Sequence, residues 1–166
     1  IVYSYIEQYP LSLQFSELLM DESDQPSDQC KGKYNRIKIY LKQNQVEITP
    51  HEIDQVFDYC LSVKEGIYAY LLKMDWYRYL LENKNDSTDW AEILAEHKAH
   101  MPVIKGLGYP YLTESAILLE AHILFLLGED ESFEALIDEL NQQFSIFELS
   151  EGKIAHLKLL VAYYKK

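Results

Sequence analysis

Apolar residues recur at helical spacing along most of the chain. The stretch after Thr49 shows this best, with apolar residues at Ile53, Val56, Phe57, Cys60 and Leu61. Steps of three and four residues place them on one face of a helix. Thr49, Pro50 and Glu52 supply a capping residue, a proline at the first helical position and the glutamate of a capping box. Because no segment shows sustained strand alternation, the pattern predicts an all-α fold.

Segment 65–84 is apolar around most of its circumference and is predicted to be the spine of the fold. Its continuous polar strip consists of Asp75, Arg78 and Glu82. A helix with so wide an apolar face has to be covered by other helices on several sides. Segment 112–127 is a second helix of this kind, and each of the two precedes a more amphipathic helix.

About eight helices are predicted, joined by loops. They cover residues 1–20 with a break at Pro10, 31–45, 49–63, 65–84, 88–101 and 112–127, with two more that begin near Asp130 and Ser150. The acidic segment 21–30 is predicted to be an exposed loop, and residues 102–110, rich in glycine and proline, a second one. We expect a single domain over residues 1–166. Since the chain begins at Ile1 within a periodic segment, we interpret it as an excised part of a longer protein.

The segment AHILFLLGEDESFEALIDEL, residues 121–140, carries the pattern of a helical-hairpin repeat. Ala121 is the small residue of its first helix, Gly128 lies at the turn, and Phe133 and Ala135 follow in the second helix. This segment resembles a degenerate tetratricopeptide hairpin. The resemblance implies stacked antiparallel hairpins, with an irregular helical bundle as the alternative. It also implies protein or peptide binding without catalysis, as in the sensor or dimerisation part of a bacterial regulator.

Four residues of the spine are the predicted binding residues. Lys73 interrupts the apolar side of the helix and is flanked by Tyr70, Trp76 and Tyr77. In a concave groove such a lysine could bind a peptide carboxylate between aromatic walls. The alternative is that the aromatic residues form a packing seam and that Lys73 extends its ammonium group to the surface.

Charge and composition restrict the partners. A formal net charge of −12 argues against nucleic-acid binding by this chain. No apolar run reaches the roughly 20 residues of a membrane-spanning helix. Cys30 and Cys60 suggest neither a disulfide framework nor a metal site, so a cytoplasmic protein without cofactors is expected. The partner is predicted to be a protein or peptide, including a possible second copy in a homodimer.

Two alternative functions remain open. Glu92, Glu96 and His100 share one helical stripe beside His97, and with His122 they could serve a metal- or histidine-dependent enzyme. The other interpretation of this cluster is a solvated helix face. The second alternative is a structural scaffold or an acidic immunity-type inhibitor of a basic partner. The basic residues between Lys31 and Lys42 either offset the acidic segment before them or contact an anion or acidic peptide.

Overall fold

The structure is a computed structural model that describes residues 9–43, 48–83 and 88–144. Over these residues the chain forms α-helices and no strand, which confirms the predicted all-α class. The described part contains seven helices: α1 Tyr9–Asp21, α2 Pro26–Gln43, α3 Pro50–Ser62, α4 Gly66–Glu82, α5 Trp90–Gly106, α6 Pro110–Leu127 and α7 Asp130–Phe144. The eighth predicted helix, near Ser150, and residues 1–8 of the first one lie outside the described residues.

The helices belong to two compact units that meet in the sequence between Asp86 and Ser87. The first unit contains α1 to α4, and the second contains α5 to α7. The single domain over residues 1–166 stays a prediction. Chain length limits the number of domains but does not show which helices contact each other.

In the first unit, α2 is central because it buries two opposite faces. Gly32 and Asn35 face α1. On the other side, Cys30 contacts α3 and Tyr34 contacts α4. Consecutive helices are joined by short connections, so α1 with α2 and α3 with α4 form hairpins, and α2 also contacts α4. The first unit is therefore built from two hairpins that meet through α2 and α4.

The acidic loop predicted over residues 21–30 is shorter than expected. Helix α1 ends at Asp21 and α2 begins at Pro26, which leaves four connecting residues. Proline is favoured in the first helical turn because its missing N–H has no intrahelical acceptor there. Asp28 lies in that same turn, where the partial positive charge of the helix end favours a carboxylate. The prediction was wrong because acidic residues and proline start a helix as readily as they form a loop.

The capping box at the start of α3 is confirmed. The Glu52 N–H donates to the Thr49 hydroxyl at 3.3 Å, and the Thr49 N–H donates to the Glu52 carboxylate at 2.9 Å. The bonds from the backbone and hydroxyl of Thr49 lower the pKa of Glu52 below its ordinary value, because they stabilise the carboxylate.

In the second unit, α6 is the most buried helix and contacts both α5 and α7. Two predicted boundaries were wrong here: Pro102 lies inside α5 rather than in a loop, and α6 begins at Pro110 rather than at residue 112. The predicted end of α6 is confirmed, because Gly128 adopts a left-handed conformation with φ 72°. Glycine reaches that region without the steric cost of a Cβ atom.

Within the described residues, α6 is the one helix that is long and apolar enough to cross a bilayer by length and composition. Nine of its 18 residues are buried, however. Its fully buried residues include Leu112, Ala116, Ile117 and Ile123, and Phe125 lies against Phe133 of α7 with ring centroids 6.0 Å apart. Its apolar composition is therefore explained by packing between α5 and α7.

Candidate partner-binding surface

The four predicted binding residues of α4 are buried. Tyr70 is 5% exposed, Lys73 9%, Trp76 8% and Tyr77 2%. Trp76 stacks on Tyr79 with ring centroids 5.6 Å apart. The structure thus places them in an aromatic packing seam, which was the alternative interpretation of the sequence. Their role in peptide binding stays a prediction.

Lys73 is held at the margin of this seam by α3. Its ammonium group donates to the Asp54 carboxylate at 2.8 Å. The same nitrogen lies 5.3 Å from the Phe57 ring centroid and 6.0 Å from that of Tyr77. A cation at such distances is attracted by the electron-rich ring faces. Lys73 therefore links α3 to α4, and its aliphatic stem is part of the packing.

Among the described histidines of the second unit, His97 makes a buried hydrogen bond between helices. His97 is 2% exposed, and its Nε2–H donates to the Ala116 carbonyl oxygen at 2.9 Å, which ties α5 to α6. His100 and His122 are half-buried. Among the described residues, no group of three or more His, Cys, Asp or Glu side chains is arranged to hold a metal ion.

The basic residues of α2 have separate partners. Lys31 pairs with Asp28 at 3.2 Å, and Lys38 lies 3.8 Å from Asp75. Lys33 lies over the Tyr59 ring, 5.0 Å from its centroid. The pairing of Lys31 with Asp28 agrees with the interpretation that this run offsets the acidic segment. These lysines do not form one basic patch.

A groove between α2 and α4 is the main depression near these lysines. It encloses about 210 Å³. Its lining residues are Lys38, Leu41, Lys42, Asp75, Arg78, Tyr79 and Glu82. Asp75 attracts two of the three cations, since Arg78 lies 3.4 Å and Lys38 3.8 Å from its carboxylate. The groove therefore has mixed charge and favours neither anions nor cations strongly.

Cys30 and Cys60 form a disulfide bond between α2 and α3, with both residues fully buried. This corrects the sequence-based expectation that the two cysteines suggest no disulfide. Two cysteines 30 residues apart carry no spacing signal, so their proximity depends on how the helices pack. Disulfides persist in oxidising compartments and are rare in the cytosol. The bond therefore argues against the expected cytoplasmic location, which stays a prediction.

The interface between α1 and α2 contains a buried polar cluster. Ser12, Ser16 and Asn35 are at most 4% exposed. The Asn35 side-chain amide donates to the Ser16 hydroxyl at 2.7 Å and to the Ser12 hydroxyl at 3.1 Å. At Gly32 a Cβ atom would lie 2.8 Å from the Ser16 carbonyl oxygen. Glycine thus permits the backbones to approach closely, and the serines fill the space that remains.

Three apolar residues of α1 face solvent. Leu11, Phe15 and Leu18 are 47%, 48% and 48% exposed, and their spacing of four and three residues aligns them along one face. We call these three residues the α1 stripe. Gly32 and Asn35 were the available signals, because a small and a polar residue near each other on one face of α2 suggest a close polar contact.

Acidic side chains border the α1 stripe. Glu17, Asp21 and Glu22 are exposed and, with Gln14 and Leu18, line a shallow depression of about 340 Å³. At 100° per residue, Glu17 and Asp21 lie on one side of the stripe. Residues 9–30 contain five acidic residues and no Lys, Arg or His. The α1 stripe is therefore an apolar surface with a negative border.

The second unit also exposes apolar residues, near the connection between α5 and α6. Val103 is 50%, Leu107 37%, Tyr109 43% and Tyr111 50% exposed. The two tyrosine rings contact each other edge to face, with centroids 6.4 Å apart. This set is divided among two helices and their connection, whereas the α1 stripe lies on one regular helix.

No protein-family model matches the chain, and neither a curated protein nor a solved structure is significantly similar to it.

Proposed function

We propose that this chain is a non-catalytic protein-binding domain that contacts its partner through the α1 stripe. The observation that carries the proposal is that α1 exposes a row of three aligned apolar side chains. Its serines are buried against Asn35, and Leu11, Phe15 and Leu18 are about half exposed. In an ordinary surface helix, apolar side chains that share one face are buried.

The exposed side chains are suited to binding. Covering a half-exposed leucine or phenylalanine contributes about 1 kcal/mol. An aromatic residue at the centre of an apolar patch is a frequent anchor of protein interfaces. Phe15 holds that position, with Leu11 one turn before it and Leu18 one turn after it. Contiguous apolar patches on a folded surface commonly mark a contact with another protein.

The proposal keeps the binding role predicted from the sequence and moves its surface from α4 to α1. The resemblance to helical-hairpin repeats supports a binding module, since such domains act by presenting helix faces. A place as the sensor or dimerisation part of a bacterial regulator remains part of this proposal.

The test compares capture of partners by matched variants. Phe15→Ser/Leu18→Ser removes two of the three stripe residues, and Leu61→Ser removes a 39% exposed leucine from α3 of the same unit. The tagged wild-type chain and both variants are incubated with an extract of the source organism, and captured proteins are identified by mass spectrometry. We expect a protein that wild type and Leu61→Ser capture equally and that the stripe variant loses.

Hydrogen exchange of the captured complex provides the second measurement. Amides of α1 should be protected by the partner, whereas those of α3 should not change. A partner that the stripe variant captures as well as wild type would overturn the proposal. If Tyr109→Ser/Tyr111→Ser abolished capture instead, the binding surface would be in the second unit.

A further inference from the structure

We infer that the segment bound by the α1 stripe is an amphipathic helix of a partner protein whose apolar face is bordered by lysine or arginine. This inference rests on the proposed function and adds the chemistry of the partner. It follows from the spacing of the stripe, the charge beside it and the backbone of α1.

The spacing favours a helix as the partner element. Leu18 follows Leu11 by seven positions, so the stripe extends roughly 10 Å along the helix axis. A second helix presents apolar side chains at the same intervals of three and four residues. The backbone N–H and C=O groups within α1 are used by the helix itself, so the stripe offers no sheet edge to an extended peptide.

The charge beside the stripe favours a basic partner. Glu17 and Asp21 lie one turn apart, Glu22 follows, and no Lys, Arg or His occurs between residues 9 and 30. Basic side chains beside the apolar face of a partner helix would reach these carboxylates. Pairs at the edge of an interface raise the association rate and the specificity more than they raise the affinity.

The same charges disfavour a second copy of this chain as the occupant. Two stripes in contact would bring their acidic borders close together, and each chain carries a formal net charge of −12. Like charges brought together at an interface oppose association. A homodimer through this face would therefore need cations that residues 9–30 do not supply.

The test uses the full chain and two synthetic 18-residue helical peptides with the same leucine face. One peptide has lysine at the polar positions and the other has glutamate. Binding is measured by fluorescence anisotropy at low and high salt. We expect the lysine peptide to bind at least tenfold more tightly than the glutamate peptide, and its affinity to fall as salt increases.

Matched variants test whether binding depends on the charges beside the stripe or on the net charge of the chain. The variant Glu17→Gln/Asp21→Asn/Glu22→Gln should weaken binding of the lysine peptide about tenfold. The control Glu129→Gln/Glu131→Gln/Glu134→Gln removes the same charge from exposed residues of the second unit and should change the Kd less than about twofold. Phe15→Ser/Leu18→Ser should also weaken binding at least tenfold, because it removes the apolar anchors.

Four outcomes would overturn the inference. Equal weakening by both charge variants would mean general attraction to an acidic protein. Equal binding of the two peptides through the stripe would show that the partner needs no basic residues beside its apolar face. The proposed protein-binding function would still stand. Self-association in sedimentation velocity that Phe15→Ser abolishes would identify a second copy as the occupant. Binding that Phe15→Ser/Leu18→Ser does not weaken would contradict both the inference and the proposed surface.

Discussion

The Asn35 side-chain amide donates to the Ser16 hydroxyl at 2.7 Å, across the buried interface between α1 and α2. The Ser16 hydroxyl in turn donates to the Ser12 carbonyl oxygen at 2.7 Å. This chain of hydrogen bonds fixes the rotation of α1 about its own axis. Because the serines are turned inward, the α1 stripe is turned outward, and the candidate surface exists for that reason.

Asn35→Ala should destabilise the protein by about 2–3 kcal/mol, because it removes a buried side chain and leaves the serine hydroxyls with fewer partners. Chemical denaturation measures the loss, and hydrogen exchange should show that α1 opens first. The matched control is Asn35→Leu/Ser12→Ala/Ser16→Ala, in which donor and acceptors are replaced together. This triple variant should recover most of the stability, and if it were the less stable of the two, the polar network would not be what holds α1.

Gly32→Ala should destabilise the protein by about 1–2 kcal/mol, although alanine is the better helix former. The added Cβ atom would meet the Ser16 carbonyl oxygen at 2.8 Å and Met20 Cγ at 2.9 Å. Gly106→Ala is the control, since nothing lies within 4 Å of a Cβ atom there. Thermal unfolding should show a lower Tm for Gly32→Ala and an equal or slightly higher Tm for Gly106→Ala. Equal shifts in both variants would argue against the close helix approach.

Reduction of the Cys30–Cys60 disulfide should lower the free energy of unfolding by about 3–4 kcal/mol. The bond closes a loop of 30 residues, and cross-linking restricts the unfolded chain in proportion to the logarithm of that length. Guanidinium unfolding of the oxidised and reduced wild-type protein measures the difference and keeps both sulfur atoms in place. An unchanged unfolding midpoint, with thiol titration showing complete reduction, would contradict a stabilising bond.

Lys73→Ala should lower stability by about 2 kcal/mol because the buried stem is lost from the seam. Lys73→Met keeps a chain of similar length and should lose much less. Had Lys73 lined a groove, Lys73→Ala would have left the Tm nearly unchanged and weakened partner binding. Calorimetry of the two variants distinguishes these roles, and a Tm for Lys73→Ala within about 1 °C of wild type would favour the groove.

The capping box of α3 should make stability depend on pH. The folded-state pKa of Glu52 is lowered by its bonds from Thr49, so its contribution is present above the pKa of the unfolded chain. It is lost as the pH falls through the folded-state pKa. Glu52→Gln should therefore be less stable than wild type near neutral pH and converge with it in acid. Parallel thermal melts across this range measure the gap, and a gap that widens in acid would contradict the assignment.

The sequence by itself determined the helical class, the capping box at Thr49 and the end of α6 at Gly128. These features depend on residues within one or two turns of each other, so periodicity and capping chemistry reveal them. The apolar character of α4 and α6 likewise predicted that both would be largely buried. Local patterns did not decide whether Pro26 and Pro102 lie in loops or in helices. Proline occurs in loops, but it is also tolerated in the first turn of a helix and can lie inside one.

Only the tertiary structure decided which face of each helix is buried and which side chains meet. The missing Cβ atom of Gly32 admits α1 so closely that Ser12 and Ser16 are buried there, while Leu11, Phe15 and Leu18 stay exposed. The contact of Cys30 with Cys60 and that of Lys73 with Asp54 also join different helices. Such contacts depend on the rotation and spacing of neighbouring helices, which are set by packing among residues far apart in the chain.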